Sequence, residues 1–243
     1  MILLRWAMSL IFIVQMYLAM VVFGLLFLPA ALMDRDGATR AAHAYCRWVV
    51  FSLRVLCGLR CEVRGTPPTG AALIAAKHQS FLDIILIFGA LPAPRFIMKA
   101  ELRFAPILGW YALRLGCVPV KRGAHGAAIT RMMEDVRSGM VRPGQLVIYP
   151  QGTRVAPGHQ RPYKIGTAAL YAQLGQTCHP VATNAGLFWP KRSLLRKPGL
   201  AVVEFLPPIA PGLENGAFMA ALEEAVESGS NRLMAEAGFR ATK

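Results

Sequence analysis

A histidine and an aspartate five positions apart follow a short apolar stretch in the first half of the chain. The stretch is Ala71–Ala76, and the pair is His78 and Asp83. Five positions rotate a helix by roughly 500°, so the two side chains can meet only if His78 lies in a turn and Asp83 in the following helix. The carboxylate would then accept the Nδ1 hydrogen and raise the basicity of Nε2, which predicts a general base for a hydroxyl group. A capping histidine beside an unrelated buried aspartate is the structural alternative.

A second group of polar residues follows the apolar stretch Leu146–Tyr149. Gln151, Gly152, Thr153 and Arg154 come directly after a proline. A glycine-containing turn at a strand end presents backbone N–H groups, and an arginine fork can donate two parallel hydrogen bonds to a phosphate. The sequence therefore predicts an anion site at this turn. An ordinary turn that carries a surface arginine is the alternative.

Cations also follow another apolar stretch, Gly116–Val120, where Lys121 and Arg122 come next. A later loop carries four more cations, which the sequence assigns either to solvent or to lipid headgroups: Lys191, Arg192, Arg196 and Lys197. The five cysteines are odd in number and form no CxxC pair, and no cluster of metal-ligating residues is visible. Neither a disulfide framework nor a metal site is therefore expected.

Short apolar stretches alternate with helical patterns beyond residue 65, which is typical of an α/β fold. The predicted strands are Ala71–Ala76, Arg95–Met98, Gly116–Val120, Leu146–Tyr149, Cys178–Thr183 and Leu200–Phe205, and the predicted helices cover residues 81–89, 106–115, 124–138 and 165–174. A last, solvated helix is expected over 216–239, with an interruption near Gly229. We expect a mixed, largely parallel sheet flanked by helices, whose strand ends collect the functional groups.

The N-terminus has a different texture. The 28 residues from Trp6 to Met33 carry no charge; as a helix they would measure about 42 Å, against a hydrocarbon core of about 30 Å. Pro29 is expected to bend this helix near its end. A second helical pattern over 37–58 carries a stripe of arginines at sevenfold spacing: Arg40, Arg47 and Arg54. The sequence predicts a two-helix membrane-anchoring segment over 1–60 and an α/β domain over 65–243. It leaves open whether the anchor spans the bilayer or lies in it as a hairpin.

The chain is both apolar and strongly basic. It has 27 Lys and Arg against 13 Asp and Glu, a net charge of +14, and 55% of its residues are hydrophobic. This balance indicates an anionic partner, and the apolar N-terminus favours the anionic surface of a membrane over nucleic acid. Neither an aromatic stacking platform nor a recognition-helix motif is found. Because most basic residues follow the apolar run, the large C-terminal part is expected on the cytoplasmic face of the inner membrane.

The motifs occur together in the order and spacing of the glycerophospholipid acyltransferases. The matching residues are His78-x4-Asp83, the run from Lys99 through Pro106, Gly109 and Gly116 to Arg122, the hexapeptide Tyr149–Arg154, and Pro180-Val181. The chain resembles this family over about residues 70–210, and resembles its bacterial 1-acylglycerol-3-phosphate acyltransferases most closely. The N-terminal segment also looks like the membrane anchor of that family.

The resemblance implies transfer of an acyl group from acyl-CoA or acyl carrier protein to the hydroxyl of lysophosphatidic acid, which gives phosphatidic acid. His78 would be the general base, and Asp83 would orient it. Seven further residues would handle the substrate: Arg122, Lys121, Gly152, Thr153 and Arg154 by binding its phosphate, and Gln151 and Lys99 by positioning it. The implied reaction requires no metal and no cofactor besides the acyl donor.

Gln151 departs from the family pattern, which usually has glutamate at that position. An amide cannot act as an anion or a base, so any role of that charge is absent from this chain. The departure leaves the identity of the acceptor open. An O-acyltransferase that acts on another lysolipid, such as lyso-ornithine lipid, is the alternative.

Overall fold

The N-terminal segment folds into three consecutive helices in the computed structural model of the protein. Their bounds are Ile2–Leu26 for α1, Leu28–Met33 for α2 and Arg35–Cys57 for α3. Pro29 lies in the first turn of α2, where its missing N–H has no intrahelical partner to lose, so the helix breaks just before it as expected. The structure describes the following residues: 2–120, 130, 134 and 143–239.

Seven strands form one mixed sheet in the described part of the chain. They are β1 Leu59–Arg64, β2 Ala72–Ala76, β3 Pro94–Lys99, β4 Val118–Val120, β5 Gln145–Ile148, β6 Cys178–Thr183 and β7 Gly199–Phe205. Their order is β1-β7-β6-β2-β5-β3-β4, and every neighbouring pair is parallel except β6 with β7. This arrangement confirms the predicted fold class. It also brings the carboxyl ends of β6, β2 and β5 together at one edge of the sheet.

Helices cover both faces of this sheet. They are α4 Leu82–Ala90, α5 Leu108–Arg114, α6 Gly166–Leu174 and α7 Asn215–Glu236, with short 3₁₀ helices at Ala100–Phe104 and Ala185–Leu187. Successive side chains of a strand point to opposite faces. Ile74 and Ala76 of β2 therefore pack with α3 and α4, on what we call the α4 face. Leu73 and Ala75 pack with α6 and α7, on the α7 face.

The N-terminal helices share the core of the α4 face. Phe12 of α1, with Val49 and Leu53 of α3, is fully buried in the same cluster as Ile74 and Val147 of the sheet. Strand β1 follows α3 after a single glycine and pairs with β7, so it crosses the predicted boundary between anchor and α/β domain. The division at residues 60–65 stays a prediction.

All six predicted strands are present, each within two residues of its expected bounds. The prediction missed β1, an edge strand whose Arg60, Glu62 and Arg64 interrupt the apolar pattern by which buried strands are found. The predicted helix over 124–138 lies outside the described residues except at positions 130 and 134.

The prediction for the C-terminal helix was wrong in two respects. It is continuous through Gly229, and it is not merely a solvated closing helix, because four of its apolar side chains are fully buried: Phe218, Leu222, Val226 and Leu233. Gly229 allows a close approach, since a Cβ there would lie 3.0 Å from side-chain atoms of both Ala182 and Leu206. Packing against the sheet thus outweighs the low helix propensity of glycine.

Candidate active site

The sheet brings the two predicted polar groups together. Ala75 of β2 lies opposite Ile148 of β5, so the turns that follow these strands are neighbours. His78 lies in the first turn and Gly152 in the second. Lys99 ends β3, the next strand at the same edge. These residues lie at the carboxyl ends of the strands, which is where open α/β sheets bind their ligands.

Asp83 lies in the first turn of α4 and is fully buried. Its Oδ2 accepts the backbone N–H groups of Gln79 and Ser80, each at 2.7 Å. Its Oδ1 accepts the hydroxyl of Thr183 at 3.2 Å. Three donors on one carboxylate fix its orientation.

His78 lies in the turn before α4, and its Nδ1 is 3.1 Å from Asp83 Oδ2. The predicted geometry, with the histidine in the turn and the aspartate in the helix, is therefore confirmed. Because a carboxylate only accepts, Nδ1 carries the hydrogen and Nε2 has the free lone pair. Among the described residues, none hydrogen-bonds Nε2. Because this nitrogen is unoccupied and the side chain is 13% exposed, Nε2 can accept a proton from a bound molecule.

Tyr149 supports the imidazole from the other side. The two rings are stacked, with centroids 3.9 Å apart and planes inclined by 16°. Burial, reinforced by the charge of Asp83, raises the pKa of Tyr149 well above its usual value, so this ring is neutral. Its buried hydroxyl has no hydrogen-bond partner among the described residues. The sequence showed this residue within the motif but gave no sign that its ring stacks on the histidine.

The turn after β5 forms a cationic site beside the pair. Gly152 has φ +67°, and its backbone N–H donates to the Tyr149 carbonyl at 2.8 Å. The Nζ of Lys191 donates to the Thr153 hydroxyl at 3.3 Å and to the Arg154 carbonyl at 3.4 Å. Desolvation by the surrounding protein and the charges of four nearby cations lower the pKa of Lys191. These cations are Arg154, Arg192, Lys99 and Arg161. No ion pair joins these cations to an acidic residue of the described part of the chain, and cations gathered in this way are suited to an anionic ligand.

Sequence reasoning placed Lys191 and Arg196 in one loop of solvent or headgroup cations, and the structure separates them. Lys191 is exposed and lies at the cationic turn. Arg196 is 6% exposed, so the expectation of a solvated charge was wrong for this residue. Its guanidinium lies 4.2 Å from the ring centroid of Trp189, and Nη1 donates to the Ser193 carbonyl at 2.7 Å. Cation–π stacking and a backbone acceptor hold this cation in the protein interior.

The remaining predicted site residues differ in where they lie. Lys121 and Arg122 are outside the described residues. Gln151 is 2% exposed, and its amide points toward Glu227 of α7 rather than toward the cationic turn. Among the described residues, no group of three or more His, Cys, Asp and Glu side chains is arranged to hold a metal ion.

A His–Asp pair beside a cluster of cations, at the strand ends of an α/β sheet, is the arrangement expected of an enzyme that deprotonates a hydroxyl of an anionic substrate. Comparison with known proteins narrows this class. The family model described as Acyltransferase matches residues 60–184, and the chain belongs to that family.

Two relatives and one solved structure illustrate the similarity. The chain is 28% identical over 194 residues to the 1-acyl-sn-glycerol-3-phosphate acyltransferase of Pseudomonas aeruginosa, which covers 79% of this chain and 76% of the relative. It is 29% identical over 172 residues to the alpha form from Mus musculus, with 68% of this chain and 60% of the relative covered. The 1-acyl-sn-glycerophosphate acyltransferase of Thermotoga maritima has the same fold. Its TM-score is 0.77 at 21% identity, over 98% of this chain and 97% of the other.

Proposed function

We propose that the chain transfers an acyl group from a thioester to the free hydroxyl of 1-acylglycerol-3-phosphate and so forms phosphatidic acid. The observation that carries the proposal is the unoccupied Nε2 of His78, fixed by Asp83 beside the cationic turn. The names of the relatives supply the substrate class.

In the proposed reaction, Nε2 of His78 accepts the proton of the acceptor hydroxyl as the oxygen attacks the thioester carbonyl carbon. The carbon–oxygen bond forms, the carbon–sulfur bond breaks, and the thiolate takes the proton back from the imidazolium. Asp83 stabilises the imidazolium without itself being protonated. Proton transfer by a positioned group contributes about 10²–10⁴ in rate.

The acceptor phosphate would bind at the cationic turn, to Arg154 and to the backbone N–H of Thr153. Gly152 was predicted to bind it too, but its N–H already donates to the Tyr149 carbonyl, so its role would be to shape the turn. The position of Lys191 adds it to the residues proposed to bind the phosphate. Lys121 and Arg122 stay predicted members of this group. Holding the phosphate places the hydroxyl near His78, which converts a bimolecular encounter into a positioned one. Lys99 at the end of β3 would add to the positive electrostatic potential at this site.

The acyl donor in this proposal is acyl-CoA or acyl carrier protein, and no metal or other cofactor takes part. Both donors are anionic, which suits a chain with a net charge of +14. A direct transfer needs no covalent acyl-enzyme, so a single base suffices for the chemistry.

The enzyme would lie in one leaflet of the inner membrane, with the α/β domain on the cytoplasmic face. Helix α1 is long and apolar enough to cross a bilayer, but it is attached to the domain near both ends. Ser9 accepts the backbone N–H of Arg196 at 3.0 Å, and the Tyr111 hydroxyl donates to the Gly24 carbonyl at 2.8 Å. The outer side of α1 carries exposed apolar residues, among them Leu3, Leu10, Val14, Leu18, Val22 and Leu25. A helix that lies along its own domain in this way suits half-immersion in lipid.

The placement of the anchor can be tested with a tag on the N-terminus in inverted inner-membrane vesicles, which expose the cytoplasmic face. If α1 stays in one leaflet, protease added outside these vesicles removes the tag together with exposed loops of the domain. A tag that resists until detergent is added would show that α1 spans the bilayer.

The activity itself is tested with detergent-solubilised protein, a labelled acyl thioester and a panel of lysolipids. We expect transfer to 1-acylglycerol-3-phosphate to exceed transfer to lyso-ornithine lipid, because Gln151 faces away from the cationic turn and leaves that turn able to bind phosphate. Running acyl-CoA and acyl carrier protein in parallel identifies the donor. Preference for lyso-ornithine lipid, or no transfer to any lysophospholipid, would refute the proposal.

A further inference from the structure

A buried ion pair lies on the α7 face, directly behind the turn that carries His78. The Nζ of Lys77 is 2.6 Å from both carboxylate oxygens of Glu227. The two side chains are only 2% and 14% exposed. Removing one partner of a pair this buried leaves an uncompensated charge, which is strongly destabilising even where the intact pair adds little. The contact therefore ties the beginning of the His78 turn firmly to α7.

Gln151, in the loop that contains the cationic turn, contacts the same carboxylate. Its Nε2 donates to Glu227 Oε1 at 3.4 Å and to the Arg161 carbonyl at 3.3 Å. Both partners are acceptors, so the contact needs a donor at position 151. A glutamate there would set a second carboxylate against Glu227 and a carbonyl, with no proton to share.

Tyr163 completes the set of donors around Glu227. Its hydroxyl donates to Oε1 at 2.9 Å. Burial and the charge of Glu227 raise the pKa of Tyr163, so it stays protonated and remains a donor. Glu227 thus accepts hydrogen bonds from three residues in two segments. Lys77 leads into the His78 turn, and Gln151 and Tyr163 lie in the loop after β5 that contains the cationic turn.

We propose that Glu227 is a positioning residue for acyl transfer, and that it is matched to an amide at position 151. One carboxylate on α7 fixes Lys77, which precedes the base. The same carboxylate fixes Gln151, which precedes the phosphate-binding turn. The distance between base and phosphate site is thereby set from behind the sheet. This inference rests on the proposed function for its kinetic consequence, and on the contacts alone for its effect on stability.

The pairing predicts opposite pH dependences for two single substitutions. In Glu227→Gln, Lys77 is buried without an anion, so its pKa falls below its unfolded value and the loss of stability shrinks as the pH rises. In Gln151→Glu, two carboxylates share one lysine, so a carboxyl pKa rises and the loss shrinks as the pH falls. The other titratable groups that face Glu227 or its adjoining cavity are Tyr163, Glu223 and His159.

The experiment compares four full-length proteins: the wild type, Gln151→Glu, Glu227→Gln and the double exchange. Melting temperatures are measured from pH 5 to pH 9. Each single change should lower the melting temperature on the order of 10 °C at neutral pH. The double exchange moves the single negative charge across the 3.4 Å contact and should recover most of that loss with a flat pH dependence.

The kinetic part uses the same proteins with 1-acylglycerol-3-phosphate and acyl-CoA. Each single change should lower kcat/KM for the acceptor by about 10- to 100-fold, because small displacements between reacting groups have effects of this size. The double exchange should return it to within about fivefold of the wild type. Glu224→Gln and Gln173→Glu are matched controls, since both residues are exposed and carry the same charge changes.

The outcomes are distinguishable from failure of the proposed function. If the wild type transfers no acyl group to the acceptor, the function is wrong, and the melting curves still test the pairing. If the two single changes add in the double exchange, or show the same pH slope, Glu227 and Gln151 are not matched. If stability is coupled but kcat/KM is unchanged in folded single variants, Glu227 is structural and the positioning role is refuted.

Discussion

Lys77 and His78 are adjacent in sequence, yet their side chains enter opposite faces of the sheet and meet different chemistry. On the α4 face, His78 is held by Asp83 and stacked on Tyr149, and its Nε2 is left without a partner among the described residues. On the α7 face, the Nζ of Lys77 donates to both carboxylate oxygens of Glu227. One face keeps a reactive atom available, while the other uses its charges to hold the turns in place.

The helices that cover the two faces also differ in the residues that they carry. The α4 face is covered by α1, α3 and α4, and the outer sides of α1 and α3 expose many apolar residues. The α7 face is covered by an acidic helix that carries Glu223, Glu224 and Glu227. An amphiphilic acceptor would approach the side where apolar helices adjoin the cationic turn, since acidic residues repel a phosphate. Four substitutions test this division between a reactive and a supporting face.

Replacing the base should have the largest effect. His78→Ala removes the group that accepts the hydroxyl proton in the proposed reaction, and we expect kcat to fall by about 10³-fold. Because the side chain is partly exposed, the melting temperature should stay within a few degrees of wild type. Initial rates at saturating acceptor measure this, with the exposed His159→Ala as control. A variant that keeps more than a tenth of the wild-type rate would remove His78 from the mechanism.

Replacing the orienting carboxylate should have a somewhat smaller effect on rate but a larger one on stability. Asp83→Asn loses the anion that accepts three hydrogen bonds and fixes the Nδ1 tautomer. We expect kcat to fall by about 10²-fold and the melting temperature to fall by several degrees. Rates and thermal unfolding are measured on the same preparation. A fold that stays intact with an unchanged rate would show that His78 does not depend on this carboxylate.

Removing the arginine of the cationic turn should act on binding. Arg154→Ala deletes a charged phosphate donor, and we expect the KM for the acceptor to rise about 10- to 100-fold with little change in kcat. The KM for the acyl donor should change less. Arg60→Ala, which removes an exposed arginine from the edge strand β1, is the control. An unchanged acceptor KM would place the phosphate elsewhere.

The smallest effect is expected at the stacked ring. Tyr149→Phe removes a buried hydroxyl that has no hydrogen-bond partner among the described residues and keeps the ring on His78. We expect kcat to change by less than about twofold and stability to stay equal or rise slightly. Comparing pH–rate profiles of the two proteins checks this. A shifted profile would mean that the hydroxyl touches the reacting groups.

Local sequence was sufficient for much of the reactive face. The five-residue spacing of His78 and Asp83 allows contact in one local arrangement, and that arrangement is present. The strands were found because each is a short apolar run. The prediction missed strand β1 because an edge strand with alternating charges has no such apolar run. Gly229 was interpreted as an interruption because glycine disfavours helices, whereas the structure keeps the helix continuous there and uses the missing Cβ for a close approach to Ala182.

The sequence by itself determined the fold class and the His–Asp pair and predicted an anion site, because each depends on residues within about ten positions of one another. The tertiary structure alone decided which way Gln151 points, that Lys191 joins the cationic turn, and that Glu227 joins Lys77. The last contact spans 150 positions along the chain. Only the packing of α7 on the sheet brings Lys77 and Glu227 together. A pattern of single residues contains no information about which face of the sheet will contact that helix.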